Sequence, residues 1–264
     1  MFIYQRELKK NLKSLIIWSI ILGGLIIMTL SVYPQFTKDQ QTMNDLLSAY
    51  PDSFKEAFGM NRLDIGTLLG FYGMQIHFMT TLLGSIYTVM LASNIIVKEE
   101  NEKTIEFLLS KPISRVRVIG EKLLAVFTNV LLLNTVIVAT SFIGFQFADE
   151  QVFLNTFNII ILSTLLLHMT FGAVSFLLSA VMKKSRTATA VSLGIVFISY
   201  LLSVISGISE ELEVLKYVSL FKYVDAADLI AENAIQPLYL VIMLAIMLLG
   251  SLLTFVVYQK KDIA

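Results

Sequence analysis

The sequence predicts an all-α integral membrane protein built on six transmembrane helices, and three observations carry that expectation. Of its 264 residues, 56% are hydrophobic and only 15% charged, against about 25% charged in an ordinary soluble domain. The mean hydropathy is +0.76. The 40 charged side chains are also confined, since six stretches (14–37, 65–97, 123–148, 151–182, 187–209 and 233–259) contain none. Each stretch supplies the roughly 20 apolar residues that cross a hydrocarbon core, and none alternates like a barrel strand. Composition therefore excludes disorder, a collagen-like repeat and an ordinary soluble enzyme. The absence of cysteine excludes disulfides, thiolate metal sites and cysteine catalysis. A net charge of zero offers no basic field to attract phosphates, so no nucleic acid is expected as a partner.

The elements follow in chain order within a single transmembrane domain, 1–264. Residues 1–14 place Tyr4, Leu8, Leu12 and Leu15 on one helical face, with Arg6, Lys9, Lys10 and Lys13 mostly elsewhere. That pattern suits an amphipathic interfacial helix on the inner membrane surface, the alternative being a short, charged N-terminal tail of the first span. The first span, 15–33, is long and is followed by no small-residue cleavage site, so it reads as a retained anchor. The outer loop 34–70 carries Met43, Leu46, Leu47 and Tyr50 at helical spacing, then Pro51-Asp52-Ser53 as a break and restart, then Phe54 and Phe58. Further spans are expected near 71–97, 123–147, 157–182 and 187–208. The windows around the second and fourth exceed a simple crossing, which calls for tilt, a kink or an interfacial extension. The outer loop 209–236 carries Leu212, Leu215, Leu220, Phe221 and Val224 among six acids, and reads as a helical cap. A last span, 237–258, returns to the inner face. Gly66-Thr67-Leu68-Leu69-Gly70 fits the small-x-x-x-small pattern of helix packing.

Orientation follows from lysine and arginine. With the N-terminus inside, the inner segments hold 15 of the 20 basic residues and the outer loops hold 13 of the 20 acids. Both termini are therefore expected to be cytoplasmic, in a bacterial cytoplasmic membrane.

Conventional chemistry is scarce. The two histidines, His77 and His168, lie inside apolar windows, where an ionisable group is a functional candidate but a hydrogen bond between helices is the commoner use. Ser175 or Ser179 with His168 is the only serine–histidine pairing to draw, and no H-E-x-x-H helix occurs. No phosphate-cradling loop exists, because Gly120-Glu121-Lys122 lacks both the upstream glycine and the following hydroxyl. No catalytic residue and no metal ligand is expected in this chain. Two other readings stand beside a transport subunit: an intramembrane enzyme using His168 or His77, and a passive channel or sensor subunit.

The first inner loop is the informative segment. From Val97 it reads as helix, with Glu99 and Lys103 four residues apart and Ile105, Leu108 and Leu109 on one face. Pro112 breaks that helix and restricts Lys111. Ser114 is placed to cap a second helix running into the third span. Such a helix–turn–helix elbow can transmit a push into two spans at once, and a solvated inner loop with the usual positive-inside charge is the equal alternative on physical grounds.

This loop resembles the signature of ABC-2 type permeases, the membrane subunits of one class of ABC exporter. The resemblance rests on Glu99, Glu100, Lys103, Thr104, Ile105, Glu106, Phe107, Leu108, Leu109, Ser110, Pro112, Ile113, Ser114, Arg115 and Lys122, with Lys103 standing where the family often has glycine. In outline it extends over the whole chain, to Tyr50-Pro51-Asp52-Ser53-Phe54 and the terminal Lys260-Lys261-Asp262-Ile263. It implies an ABC-2 (type V exporter-like) permease fold in which 98–118 is the coupling loop docking on a separate ATP-binding subunit. That subunit, not this chain, binds ATP and Mg. A second permease copy or paralogue completes a dimer in the lipid bilayer. The expected roles are a polar contact fixing the elbow for Glu106, packing for Leu108 and Leu109, and the turn angle for Pro112. Arg115 is expected to face the ATPase or lipid phosphates. No charge lies centrally in any span, so the expected cargo is hydrophobic or amphipathic (a peptide, drug or lipid), although Asn94, Asn129 and Asn134 are available to line a polar path.

Overall fold

The structure, a computed structural model, describes residues 2–38, 51, 55, 61–101, 113–148, 150–208 and 210–261. Helix α1 (Phe2–Lys38) is followed by α2 (Leu68–Asn94), the short α3 (Val97–Asn101), α4 (Arg115–Phe145), α5 (Leu154–Val181) and α6 (Ser185–Ser206). Two 3₁₀ segments (Glu210–Tyr217 and Lys222–Val224), α7 (Ala226–Glu232) and α8 (Pro237–Lys260) complete the chain. Helices α1, α2, α4, α5, α6 and α8 are long and apolar enough to cross a membrane, and no strand occurs among the described residues. The expected six-span all-α architecture is met.

Local chemistry sets the boundaries. The Ser114 hydroxyl accepts the Arg117 N–H at 3.3 Å and caps α4. Asp225 caps α7 by accepting from Ala227 and Asp228, and Asn233, in the left-handed region at φ 48°, ends that helix. Pro237 opens α8, where a missing N–H costs nothing.

Three details differ from expectation. Residues 2–14, expected as a separate interfacial helix, run without a break into the first span. No glycine or proline interrupts the chain there, and polar contacts described below hold those turns to the bundle. Second, α2 includes a π turn at Tyr72–His77 between two α-helical parts, a local widening that accommodates the long second window. Third, the Gly66–Gly70 pattern does not pack two helices. Gly66 lies in the turn before α2, and a side chain at Gly70 would collide with the Asp64 carbonyl rather than meet a neighbouring span. Here glycine permits a tight helix start, with Thr67 as the cap.

Helices α2 and α5 form the buried centre, α1 packs on α4, α8 on α5 and α6 on α2. Without a hydrophobic drive between helices in lipid, close approach depends on small residues. Gly84 of α2 lies directly against the His168 ring of α5, and Gly250 of α8 sits on the Ala173 carbonyl. Both chain ends lie at one end of the bundle: Glu121 binds the N–H groups of Ile3 and Tyr4, and Lys261 binds Glu100.

Candidate functional site

At this termini end, α3 and the start of α4 meet α1 in a buried lattice of charges. Glu7, fully buried on α1, accepts from Lys98 of α3 and from Lys122 of α4, the latter at 2.9 Å. Lys122 also reaches Glu99 at 3.2 Å and donates to the Ile95 carbonyl at 2.5 Å, where α2 ends. Arg6 closes the circuit by pairing with Glu99. Two buried acids and two buried lysines thus balance, as charges inside a low-dielectric region must. Burial pulls the Lys98 ammonium below its usual range; Glu7 opposes that shift and nearby Lys122 adds to it.

The lattice is anchored on both sides. Glu121 accepts the N–H groups of Ile3 and Tyr4 at 2.9 and 3.1 Å, satisfying otherwise orphaned donors at the start of α1. The Ser179 hydroxyl of α5 accepts the N–H groups of Ile96 and Val97 at 3.0 and 3.1 Å. That fixes the turn between α2 and α3. Lys261, just past α8, sits 2.7 Å from Glu100 and donates to the Ala180 carbonyl of α5 at 2.8 Å. Asn94 pairs with Ser185 at the start of α6. Every span therefore has a polar tie at this end of the bundle.

Of the residues expected to form the coupling loop, Glu99, Glu100, Ile113, Ser114 and Arg115 lie within the described residues. Glu99 and Glu100 are committed to the lattice, Ser114 caps α4, and Ile113 packs on Ile3 and Val118. Arg115, expected to face a partner or lipid phosphates, is half-buried and donates to the Gln259 and Lys261 carbonyls at 3.1 and 2.8 Å. It offsets the partial negative charge of the α8 C-terminus. Lys103, Thr104, Ile105, Glu106, Phe107, Leu108, Leu109, Ser110 and Pro112 lie outside the described residues, as does most of the 34–70 loop.

Sequence reasoning passed over Glu7 and Lys98, and it gave Glu121, Ser179 and Lys261 other readings. One signal was legible: Glu7 is the only acid in 1–14, among four bases, yet periodicity alone places it with the solvated charges.

The histidines hold helices together. Asn134 donates to His168 Nδ1 at 3.1 Å, leaving the Nε2–H to donate to the Thr80 carbonyl at 3.1 Å. His77 Nε2 lies 2.7 Å from the Val224 carbonyl, and its Nδ1 lies 3.2 Å from the Thr164 hydroxyl. Neither ring contacts Ser175 or Ser179 through a hydrogen bond, so no nucleophile–base pair is assembled on them among the described residues. Asn129 and Asn134 are buried and donate to carbonyls one turn earlier.

Compared with known families, the chain matches the family model described as ABC-2 family transporter protein over residues 1–263. No curated protein matches the chain.

Proposed function

The chain belongs to the ABC-2 family of transporter proteins, and on that premise we propose that it is the permease subunit of an ATP-driven exporter. A separate ATP-binding subunit supplies the hydrolysis, and two permeases form the path for a hydrophobic or amphipathic substrate. The observation that carries the reading is the buried ionic lattice joining both flanks of the 98–118 elbow to α1. ATP binding draws two ATPase subunits together and displaces the elbow at 102–112. Because Lys122 ties α4 to Glu7, Glu99 and the end of α2, that displacement reaches α1, α2 and α4 as one movement. Ser179 and Lys261 pass it to α5 and α8. The excess of basic residues at the termini end supports a cytoplasmic placement of that end, which puts the elbow where ATP is.

The roles assigned to Glu106 and Pro112 are tested by co-expressing the cognate ATPase and measuring pull-down and ATP turnover of the complex. Glu106→Ala and Pro112→Ala are expected to lower turnover or assembly, with the ionic lattice and the fold retained. If neither variant alters assembly or turnover, the coupling role is wrong. Activity that persists without any ATPase favours a passive channel instead.

A further inference from the structure

At the end opposite the termini, a cavity of about 410 Å³ lies between α2, α6 and the segment from Phe221 to Ala227. Its size falls within the roughly 300–1,000 Å³ of small-molecule sites. The sequence builds it through the π turn of α2. Gly73 in that turn lets α7 approach so closely that an added Cβ would sit 3.0 Å from the Ala226 methyl. The cavity has an aromatic wall, in which Tyr200 bridges Phe78 and Phe221 with ring centroids 5.6 and 5.7 Å apart.

Its polar atoms divide into two sets. The charges are already matched: Arg62 pairs with Asp225 at 2.9 Å and with Asp228, and Lys222 pairs with Asp225 at 2.7 Å. Of the neutral groups, His77 and Thr81 are already hydrogen-bonded, and two others are uncommitted. The Gln75 amide and the Ser203 hydroxyl line the cavity and make no side-chain hydrogen bond among the described residues. A charged headgroup entering here must displace one member of an existing ion pair, leaving the other without its counter-charge. An uncharged hydroxyl or amide head meets a free donor and a free acceptor at no such cost.

We propose that this cavity binds an uncharged single-chain amphiphile, its apolar chain on the Phe78–Tyr200–Phe221 wall and its hydroxyl or amide head on Gln75 and Ser203. The inference rests on the exporter reading in one respect only, that such a molecule is then the class of substrate handled. Binding itself needs no ATPase.

The test uses the full chain reconstituted without its partner in phosphatidylcholine nanodiscs. The probes are a diazirine-bearing monoacylglycerol and the corresponding diazirine fatty acid, with labelled peptides mapped after illumination. The monoacylglycerol is expected to label the 72–81 and 200–207 segments, to be displaced by excess unlabelled monoacylglycerol, and to exceed the fatty acid several-fold. Gln75→Leu is expected to lower labelling about two- to ten-fold, the equivalent of one net hydrogen bond. Equal labelling of these segments by both probes overturns the proposal, as does labelling without competition or labelling indifferent to Gln75→Leu. The two-probe comparison and the competition use the unaltered chain, so they stand even if the variant fails to fold. ATP turnover with the partner is measured separately. Lost pocket labelling with intact coupling removes only this inference, and intact labelling with absent coupling removes only the exporter reading.

Discussion

Replacing Glu7 by glutamine removes one of two negative charges facing two buried lysines. Glu7 is fully buried, Lys98 and Lys122 nearly so, and both lysines bond the two oxygens of its carboxylate. Loss of one partner from a buried ion pair costs about 3–5 kcal/mol, because the charge left behind keeps its desolvation penalty. At about 2–4 °C per kcal/mol for a chain of this size, the melting temperature in detergent falls by about 6 °C or more. The companion is Glu7→Gln with Lys98→Met, which leaves Lys122 facing Glu99 and restores the balance. Its loss should be smaller than the sum of the single losses by about 1 kcal/mol or more. A shift below about 2 °C for Glu7→Gln, or strict additivity in the double variant, refutes the account of the lattice as a compensated buried unit.

Two further outcomes follow from other sites. Burial pushes the Asp225 carboxyl up, but Lys222 and Arg62 outweigh it and hold it below the usual range; the stability it contributes is therefore complete above its unfolded value near 3.9 and is lost as the pH falls through the lower folded value. The melting gap between the wild type and Asp225→Asn should stay level from pH 8 to 5 and close in stronger acid, and a gap that widens in acid refutes the assignment. Gly84→Ala drives a methyl into the His168 ring and is expected to cost about 1–3 kcal/mol, whereas Gly24→Ala, which meets nothing within 4 Å, leaves the melting temperature unchanged or raised.

How much was legible differs between the spans and the site. The charge-free windows placed four of the six helices within three residues of their ends, while α1 and α4 begin 13 and 8 residues before the spans as drawn. The six are legible because spanning a membrane is a property of each segment alone, since in hydrocarbon every backbone group must be satisfied internally. The cap at Ser114 and the uneven distribution of lysine and arginine among the loops are likewise local and were readable. The lattice was not. Glu7 and Lys122 are 115 positions apart, and although Glu7 is the only acid in 1–14, its periodicity alone places it with the exposed lysines around it. The Gly66–Gly70 spacing suggested helix packing, while glycines that do meet another helix include Gly84 and Gly250, because which faces touch is decided by shape and hydrogen bonding across the bundle. His77 and His168 carried the same ambiguity until their partners were known. The sequence alone thus determined that this chain carries six helices long and apolar enough to cross a membrane. Only the tertiary structure decided which charges are buried together, because compensation between charges depends on proximity in space, which the order of residues along the chain does not encode.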